Sequence, residues 1–448
     1  MFSSWEAKRL LRLATPVFLA QIVLVLMTVV DTMMAGQVSA EDLAALSIAI
    51  GIWNPILFAL QGILLALTGV VAHCHGANDE SGIRHYFQQS VYLVLLLSAV
   101  GFAVAPLTEM VVRHLDASHN VIQKATDYID FVKWGMFGFL FFTVYRNVTE
   151  GVGLTKPALY ISLLGLLLNI PANLIFIYGY FGLPALGSAG CGLATMLVFT
   201  FMAILQHLYS LKSKTLGSLK LFSNFQTPQT KELWYLFKLG LPICLATFFE
   251  VTLFACIPLF IADLGAIAVS GHQIAASVST LLFMMPLSLS MAISIRVGNL
   301  CGQGHFAEVK TAISTSFLLA CLIALFVATV TYLFRDAVAS LYSSNTEVLA
   351  LASTILALAC IYQLPDALQV AANGVLRGLK YTKPITSITF ISYWLIGFSL
   401  GFVLAKTDWL MQPLGAAGFW IGIIVGLSTA AVMLLISVRR RLATLAVS

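Results

Sequence analysis

Apolar runs of about 20 residues recur from one end of this 448-residue chain to the other, each long enough to cross the hydrocarbon layer of a bilayer. In that layer every backbone N–H and C=O must be satisfied within the spanning element, so such runs fold as helices. Cut at polar or Pro/Gly-rich breaks, they number twelve: 14–34, 46–72, 88–108, 126–147, 158–179, 188–210, 236–262, 270–298, 311–334, 349–373, 384–405 and 416–437. Charged residues make up 10% of the chain, against about 25% in soluble domains, which excludes a water-soluble fold. Lys8, Arg9 and Arg12 ahead of the first run imitate a secretory signal, yet the apolar stretch from Thr15 to Met34 is too long for one and reads as a retained span. The seven cysteines show no CxxC spacing and mostly fall inside apolar runs, as small core residues do.

Lys and Arg placement orients the chain. With the N-terminus in the cytoplasm, the outward segments keep only Arg113, Lys124, Lys133, Arg335 and Lys406, and every other Lys and Arg lies on the inward side. The positive-inside rule therefore predicts cytoplasmic termini.

The chain also repeats itself. RLATP at 12–16 aligns with KLGLP at 238–242, Gly76 with Gly302, TKP at 155–157 with TKP at 382–384, and LGSAG at 186–190 with LGAAG at 414–418. The offset stays between 226 and 228 throughout. A duplication of six spans preserves orientation, so the expected fold is an all-α membrane protein of twelve transmembrane helices. Its two six-helix lobes would be related by a pseudo-two-fold axis along the membrane normal, with a cavity between them. The expected division is an N-terminal lobe at 1–211, a basic cytoplasmic linker at 212–235 and a C-terminal lobe at 236–448.

Three acidic residues lie well inside apolar spans: Asp31, Glu250 and Asp366. An ionised carboxylate there costs roughly 2.5–3.5 kcal/mol on insertion scales, so something must offset it. A protonated carboxyl that ties helices together is the bland alternative. Spacing favours function: Tyr362, Asp366, Gln369 and Asn373 follow i, i+4, i+7, i+11 and share one helix face. Pro365 deprives the Ile361 carbonyl of its usual donor, so a free carbonyl or a simple kink sits beside Asp366. Asn169 and Asn173 flank Pro171 in span five, where a break in the helix is expected between them. Gln21, Thr28 and Asp31 form a stripe on span one, and Thr247 stands one turn before Glu250. Gln273 belongs to a Ser/Thr/Gln stripe on span eight that serves equally well for helix packing. Met284, Met285 and Met291, with Phe248, Phe249 and Phe254 around Glu250, would supply soft apolar and aromatic surface suited to organic cations, or plain core.

Absent motifs narrow the classes. No GxxxxGK[ST] loop and no GK dipeptide occurs, which excludes an in-chain P-loop motor, and neither HExxH nor a GxGD context appears. His73 and His75 flank Cys74 at a span end and read as an interfacial pair rather than a metal site.

These residues resemble the multidrug and toxic compound extrusion (MATE) family, in its NorM-type branch. The likeness runs through VDTMMAG at 30–36, the two TKP segments, GLPICLATFFE at 240–250, GHQI at 271–274, SIRVG at 294–298 and YQLPDALQ at 362–369. The resemblance implies a twelve-helix exporter of organic cations, driven by inward flow of Na⁺ or H⁺. By the same resemblance Glu250 and Asp366, with Tyr362 beside them, match the cation site, where Na⁺ is expected. Asn169 and Asn173 match polar residues near the lobe interface and are grouped with that ion-coupling set. Asp31 matches an aspartate implicated in substrate or proton handling, and Gln273, Met284 and Phe254 join it as substrate-site candidates.

Two carboxylates in one low-dielectric site cannot both stay ionised cheaply, so they share a proton or take up a metal cation, and both compete with a cationic drug. The expectation is a transporter rather than an enzyme, with no cofactor or nucleic-acid partner, working as a monomer in the bacterial cytoplasmic (inner) membrane. The rival is a lipid-linked precursor flippase of the same architecture. An anionic pyrophosphate lipid would call for buried Lys or Arg in the cavity, whereas the mid-span charges here are negative.

Overall fold

The computed structural model describes residues 3–115 and 117–445. The described residues form helices without a strand: α1 (Ser4–Val38), α2 (Ala40–Gly76), α3 (Glu80–Arg113), α4 (His119–Gly151), α5 (Lys156–Tyr178), α6 (Ser188–Lys212), α7 (Lys214–Ser218), α8 (Thr230–Ile261), α9 (Ala266–Gly302), α10 (Phe306–Ser340), α11 (Thr346–Gly378), α12 (Lys383–Thr389), a π-helical segment (Phe390–Phe398), α13 (Ser399–Lys406) and α14 (Ala416–Leu445). Each predicted span lies in one of these helices to within one residue, the eleventh being α12, the π segment and α13 run together. Among the described residues eleven stretches are long and apolar enough to cross a membrane. The exception is α4, whose apolar run is interrupted by Lys124, Asp127, Asp130, Lys133, Arg146 and Glu150. Side chains set the starts of four long helices: Ser39, Asp79, Ser118 and Asn345 cap α2, α3, α4 and α11 by accepting backbone amide hydrogen bonds.

Backbone geometry repeats with the sequence. Thr155 and Thr382 precede α5 and α12 with φ/ψ of −89/−23 and −91/−17, each followed by a proline in the first helical turn. Gly187 and Gly415 enter α6 and α14 at φ 58 and 57. Asn78 (φ 56) and Gly304 (φ 74) end α2 and α9 at the same offset, as do Gly153 (φ 85) and Lys380 (φ 53) after α4 and α11. Loops of the two halves thus reverse direction at the same places.

The chain resolves into two compact units, Leu19–Cys244 and a second comprising Leu245 onward together with the residues up to Phe18. Both divisions fall inside helices, two residues beyond Pro16 in α1 and two beyond Pro242 in α8.

In the Leu19–Cys244 unit α4 is central and packs on α2, α3 and α6, with α5 against α6. Gly138 lets α4 and α6 close up, since a Cβ there would meet the Thr200 nitrogen at 2.6 Å. Buried Asp42 ties three elements together: it accepts from Ser39 Oγ (2.6 Å), Lys124 Nζ on α4 (2.7 Å) and the Ser188 amide that opens α6 (2.8 Å). The stretch after α7 is stitched to α3. Gln88 donates to the Leu221 and Ser223 carbonyls and accepts from the Gln226 amide, while Gln89 donates to the Thr227 carbonyl and accepts from the Gln229 amide.

In the other unit α11 is central and packs on α9, α10 and α14. The π segment and α13 lie against α14 through glycines, where a Cβ on Gly422 would meet the Gly397 carbonyl at 2.3 Å. The first turn of α1 is held by buried Arg296, which donates through Nε and Nη2 to the two Glu6 oxygens at 2.9 and 2.5 Å.

Candidate functional site

The intramembrane carboxylates fall into two clusters, one per unit. Asp31, 6% exposed on α1, accepts at Oδ1 from Asn169 Nδ2 (2.9 Å) and Asn173 Nδ2 (2.6 Å), and at Oδ2 from Thr195 Oγ1 (3.3 Å). Both asparagines are fully buried on α5, and Asn173 Nδ2 also reaches Asn169 Oδ1 at 3.3 Å. The expected break at Pro171 does not occur: α5 runs uninterrupted from Lys156 to Tyr178. Continuity is what keeps Asn169 and Asn173 one turn apart on one face. The structure thus brings Asn169 and Asn173 to Asp31, and adds Thr195 of α6, which the sequence reading did not single out. Its only sequence signal is helical spacing from Cys191, another neighbour of Asp31. Gln21 is half-buried and Thr28 exposed on the same helix.

The second cluster gathers Glu250 from α8, Tyr362 and Asp366 from α11 and Tyr393 from the π segment. Asp366 is 5% exposed and lies within the field of Glu250, and both carboxylates act on Tyr362 and Tyr393. Gln369 stands beside Asp366 with its Oε1 buried and unpartnered. Here too α11 continues through its proline, from Thr346 to Gly378, so the polar face of Tyr362, Asp366, Gln369 and Asn373 is unbroken. A cavity of about 20 Å³, room for a water-sized occupant, is lined by Tyr362, Gln363 and Asp366 on one side and by apolar residues of α9 and α10, among them Pro286 and Ala324, on the other.

Of the substrate-site candidates, Phe254 packs edge-on against buried Trp420 (6.4 Å between ring centres), and Trp420 lies 5.9 Å from the Tyr362 ring. Trp420 Nε1 donates to Nδ1 of buried His272 at 3.1 Å, which fixes the ring wall behind Tyr362. Gln273 is exposed on α9, and Met284 is half-buried with its carbonyl accepting from Ser288 Oγ. Tyr393, Trp420 and His272 were not identified from the sequence as site residues. A tyrosine or tryptophan in an apolar run gives no sign of which way it faces.

Of the ion pairs among the described residues, none involves Asp31, Glu250 or Asp366. Asp31 and Asp366 are met by neutral hydroxyls and amides. Buried carboxylates without a fixed counter-charge are chemically open to a proton, a metal cation or a cationic ligand.

Comparison with known proteins converges on one family. The family described as MatE matches the chain twice, over residues 16–175 and 242–403. The chain is 44% identical over 435 residues to the Multidrug resistance protein MdtK of Yersinia pseudotuberculosis serotype O:1b (strain IP 31758), covering 97% of this chain and 95% of that one. Its fold matches that of a MATE in complex with MaL6 at a TM-score of 0.89 and 21% identity, over 99% and 98% of the two chains. It also matches the outward-facing conformation of a multidrug resistance MATE family transporter of the MOP superfamily, at 0.88 and 22%, over 98% and 96%. Two internal family matches at the repeat spacing, a near-full-length relative and a shared fold lead to the same conclusion: this chain is a multi-pass membrane protein of the MatE family.

Proposed function

We propose that this protein is a multidrug efflux antiporter that exports organic cations from the cell in exchange for Na⁺ or H⁺ entering it. The observation that carries the reading is the pair Glu250 and Asp366, two carboxylates from different helices in one membrane-embedded unit, neither of them ion-paired among the described residues. Its near-full-length relatives, named multidrug resistance proteins, support a role in drug export. An anionic lipid substrate finds no fixed positive charge at either carboxylate cluster.

In this reading the coupling ion neutralises Glu250 and Asp366 and displaces the cationic drug from the same unit. Tyr362, backed by Trp420 and Phe254, offers the drug an aromatic face. One elementary charge entering down 100 mV releases about 2.3 kcal/mol, to which a concentration gradient adds. Asp31, with its amide and hydroxyl donors, is a second carboxylate that can take part in proton or substrate handling. The protein would sit in the bacterial inner membrane with both termini cytoplasmic, where the excess of Lys and Arg belongs.

The test is fluorescent-cation transport in proteoliposomes with a Na⁺ or a pH gradient imposed separately, for wild type, Glu250→Gln and Asp366→Asn. Gradient-driven export lost in both variants is the expected result, and the gradient that drives wild type names the ion. No cation movement under either gradient overturns the reading.

A further inference from the structure

The π-helical segment Phe390–Phe398 is clamped on two sides. Toward α8, the Phe390 ring lies 5.2 Å from Phe249, Trp394 Nε1 donates to the Phe249 carbonyl at 3.2 Å, and Phe398 meets Phe260 edge-on at 5.1 Å. Toward α14, a Cβ on Gly426 would meet the Ser392 carbonyl at 2.7 Å, so backbone rests on backbone. A π turn carries more residues per turn than an α-helix, and such turns concentrate at functional sites. Phe249 is the residue before Glu250, so the same contacts that seat Phe390 and Trp394 bring Tyr393 to the Glu250 turn of α8.

Tyr393 is 2% exposed and its hydroxyl has no hydrogen-bond partner. A buried hydroxyl left unpaired costs free energy, and native proteins rarely retain one without a use. Nearby, Gln369 Oε1 is a second buried oxygen with no donor. Around Glu250 and Asp366 the structure therefore holds two neutral oxygens that lack a positive partner.

We propose that the Tyr393 hydroxyl is a neutral ligand of a monovalent metal cation, of the Na⁺ type, bound between Glu250 and Asp366. The proposal rests on the reading that these two carboxylates hold the coupling ion. Oxygen-only ligation by carboxylate, carbonyl and hydroxyl suits a hard cation. Among the described residues no group of three or more His, Cys, Asp and Glu gathers, and two adjacent buried carboxyls that share one proton keep a single negative charge, which matches a monovalent ion better than a divalent one. A proton needs only a carboxylate, whereas a metal ion needs further oxygens to replace its water. Tyr393 is then a residue that favours metal over proton.

The experiment measures Na⁺ binding to the purified full-length protein in choline buffer, read by tryptophan fluorescence, since Trp394 and Trp420 flank the site, and by Na⁺-dependent thermal stabilisation. Wild type, Tyr393→Phe and Asp366→Asn are compared. Tyr393→Phe is expected to raise the half-saturating Na⁺ concentration about tenfold, the scale on which metal sites respond to loss of a supporting group. Its melting temperature without Na⁺ should equal or exceed the wild-type value, because the hydroxyl has no protein partner to lose; if that variant does not fold, Tyr393→Met takes its place. Asp366→Asn is expected to abolish binding. If Tyr393→Phe binds Na⁺ as wild type does while Asp366→Asn does not, the ligand role of Tyr393 is wrong and the carboxylate site stands. If wild type does not respond to Na⁺, or Asp366→Asn responds as wild type does, metal binding at this site fails and the Tyr393 proposal falls with it.

Discussion

Asn173 Nδ2 donates to Asp31 Oδ1 at 2.6 Å, and Asn169 Nδ2 reaches the same oxygen from one turn earlier at 2.9 Å. A single carboxylate oxygen thus fastens α1 to one face of α5. Hydrogen bonds to a charged group contribute about 1.5–3 kcal/mol, and less to a neutral one. Asn173→Leu should lower stability by an amount in that range in the wild-type background and by much less in an Asp31→Leu background. A double-mutant cycle by equilibrium unfolding in mixed micelles measures the coupling. A coupling near zero would show that the amides do not hold the carboxylate.

Replacing the second-unit carboxylates should not destabilise the fold. A neutral amide is cheaper to bury in a span than a carboxylate, whose insertion cost is roughly 2.5–3.5 kcal/mol. Glu250→Gln and Asp366→Asn are therefore expected to melt at or above the wild-type temperature while gradient-driven transport falls at least tenfold. If either variant melts well below wild type, the carboxyl in question is a structural tie between helices.

Arg296 is the opposite case, since both it and Glu6 are buried and joined by two hydrogen bonds. Removing one partner of a buried pair typically costs about 3–5 kcal/mol, because the other charge is left uncompensated. Arg296→Met should be strongly destabilising, and Glu6→Leu in the same chain should restore part of the loss. The readout is the unfolding midpoint of the two single variants and the double variant.

Gly187 and Gly415 occupy equivalent turns at φ 58 and 57, so alanine at either carries a positive-φ backbone cost of about 1–3 kcal/mol. Their surroundings differ. A Cβ at Gly187 would sit 2.3 Å from Asp42 Oδ1, the oxygen that caps α6, whereas at Gly415 the nearest atom is Leu264 Cδ1 at 3.5 Å. Gly187→Ala should therefore lower the melting temperature clearly more than Gly415→Ala. Equal losses would mean that backbone strain alone decides.

Gln88 and Gln89 hold the stretch 221–229 to α3 by hydrogen bonds from both ends of each amide. Gln88→Leu with Gln89→Leu should free that stretch, and trypsin should then cut the detergent-solubilised protein faster at Lys220 and Lys231. An unchanged cleavage rate would show that other contacts suffice.

Hydropathy and spacing carried much of this structure. Membrane crossing is a local property, because a run of apolar residues must satisfy its own backbone whatever its neighbours do, and so the spans could be read without knowing how they pack. The duplication was legible for a related reason: turns such as TKP and LGSAG demand particular backbone angles, and Thr155 with Thr382 share nearly the same φ and ψ, Gly187 with Gly415 nearly the same φ. The shared face of Tyr362, Asp366, Gln369 and Asn373 followed from helical period alone. Which helices meet was a different matter. Period places Asn169 and Asn173 on one face of a helix but is silent on which carboxylate that face meets, and only the packing of α1, α5 and α6 sets both against Asp31 with Thr195. Tyr393 was hidden for the same reason. In a uniformly apolar span no side chain is driven by water toward either face, so the direction of its hydroxyl was settled by the glycine contacts with α14, the aromatic contacts with α8 and the local widening of the helix between them.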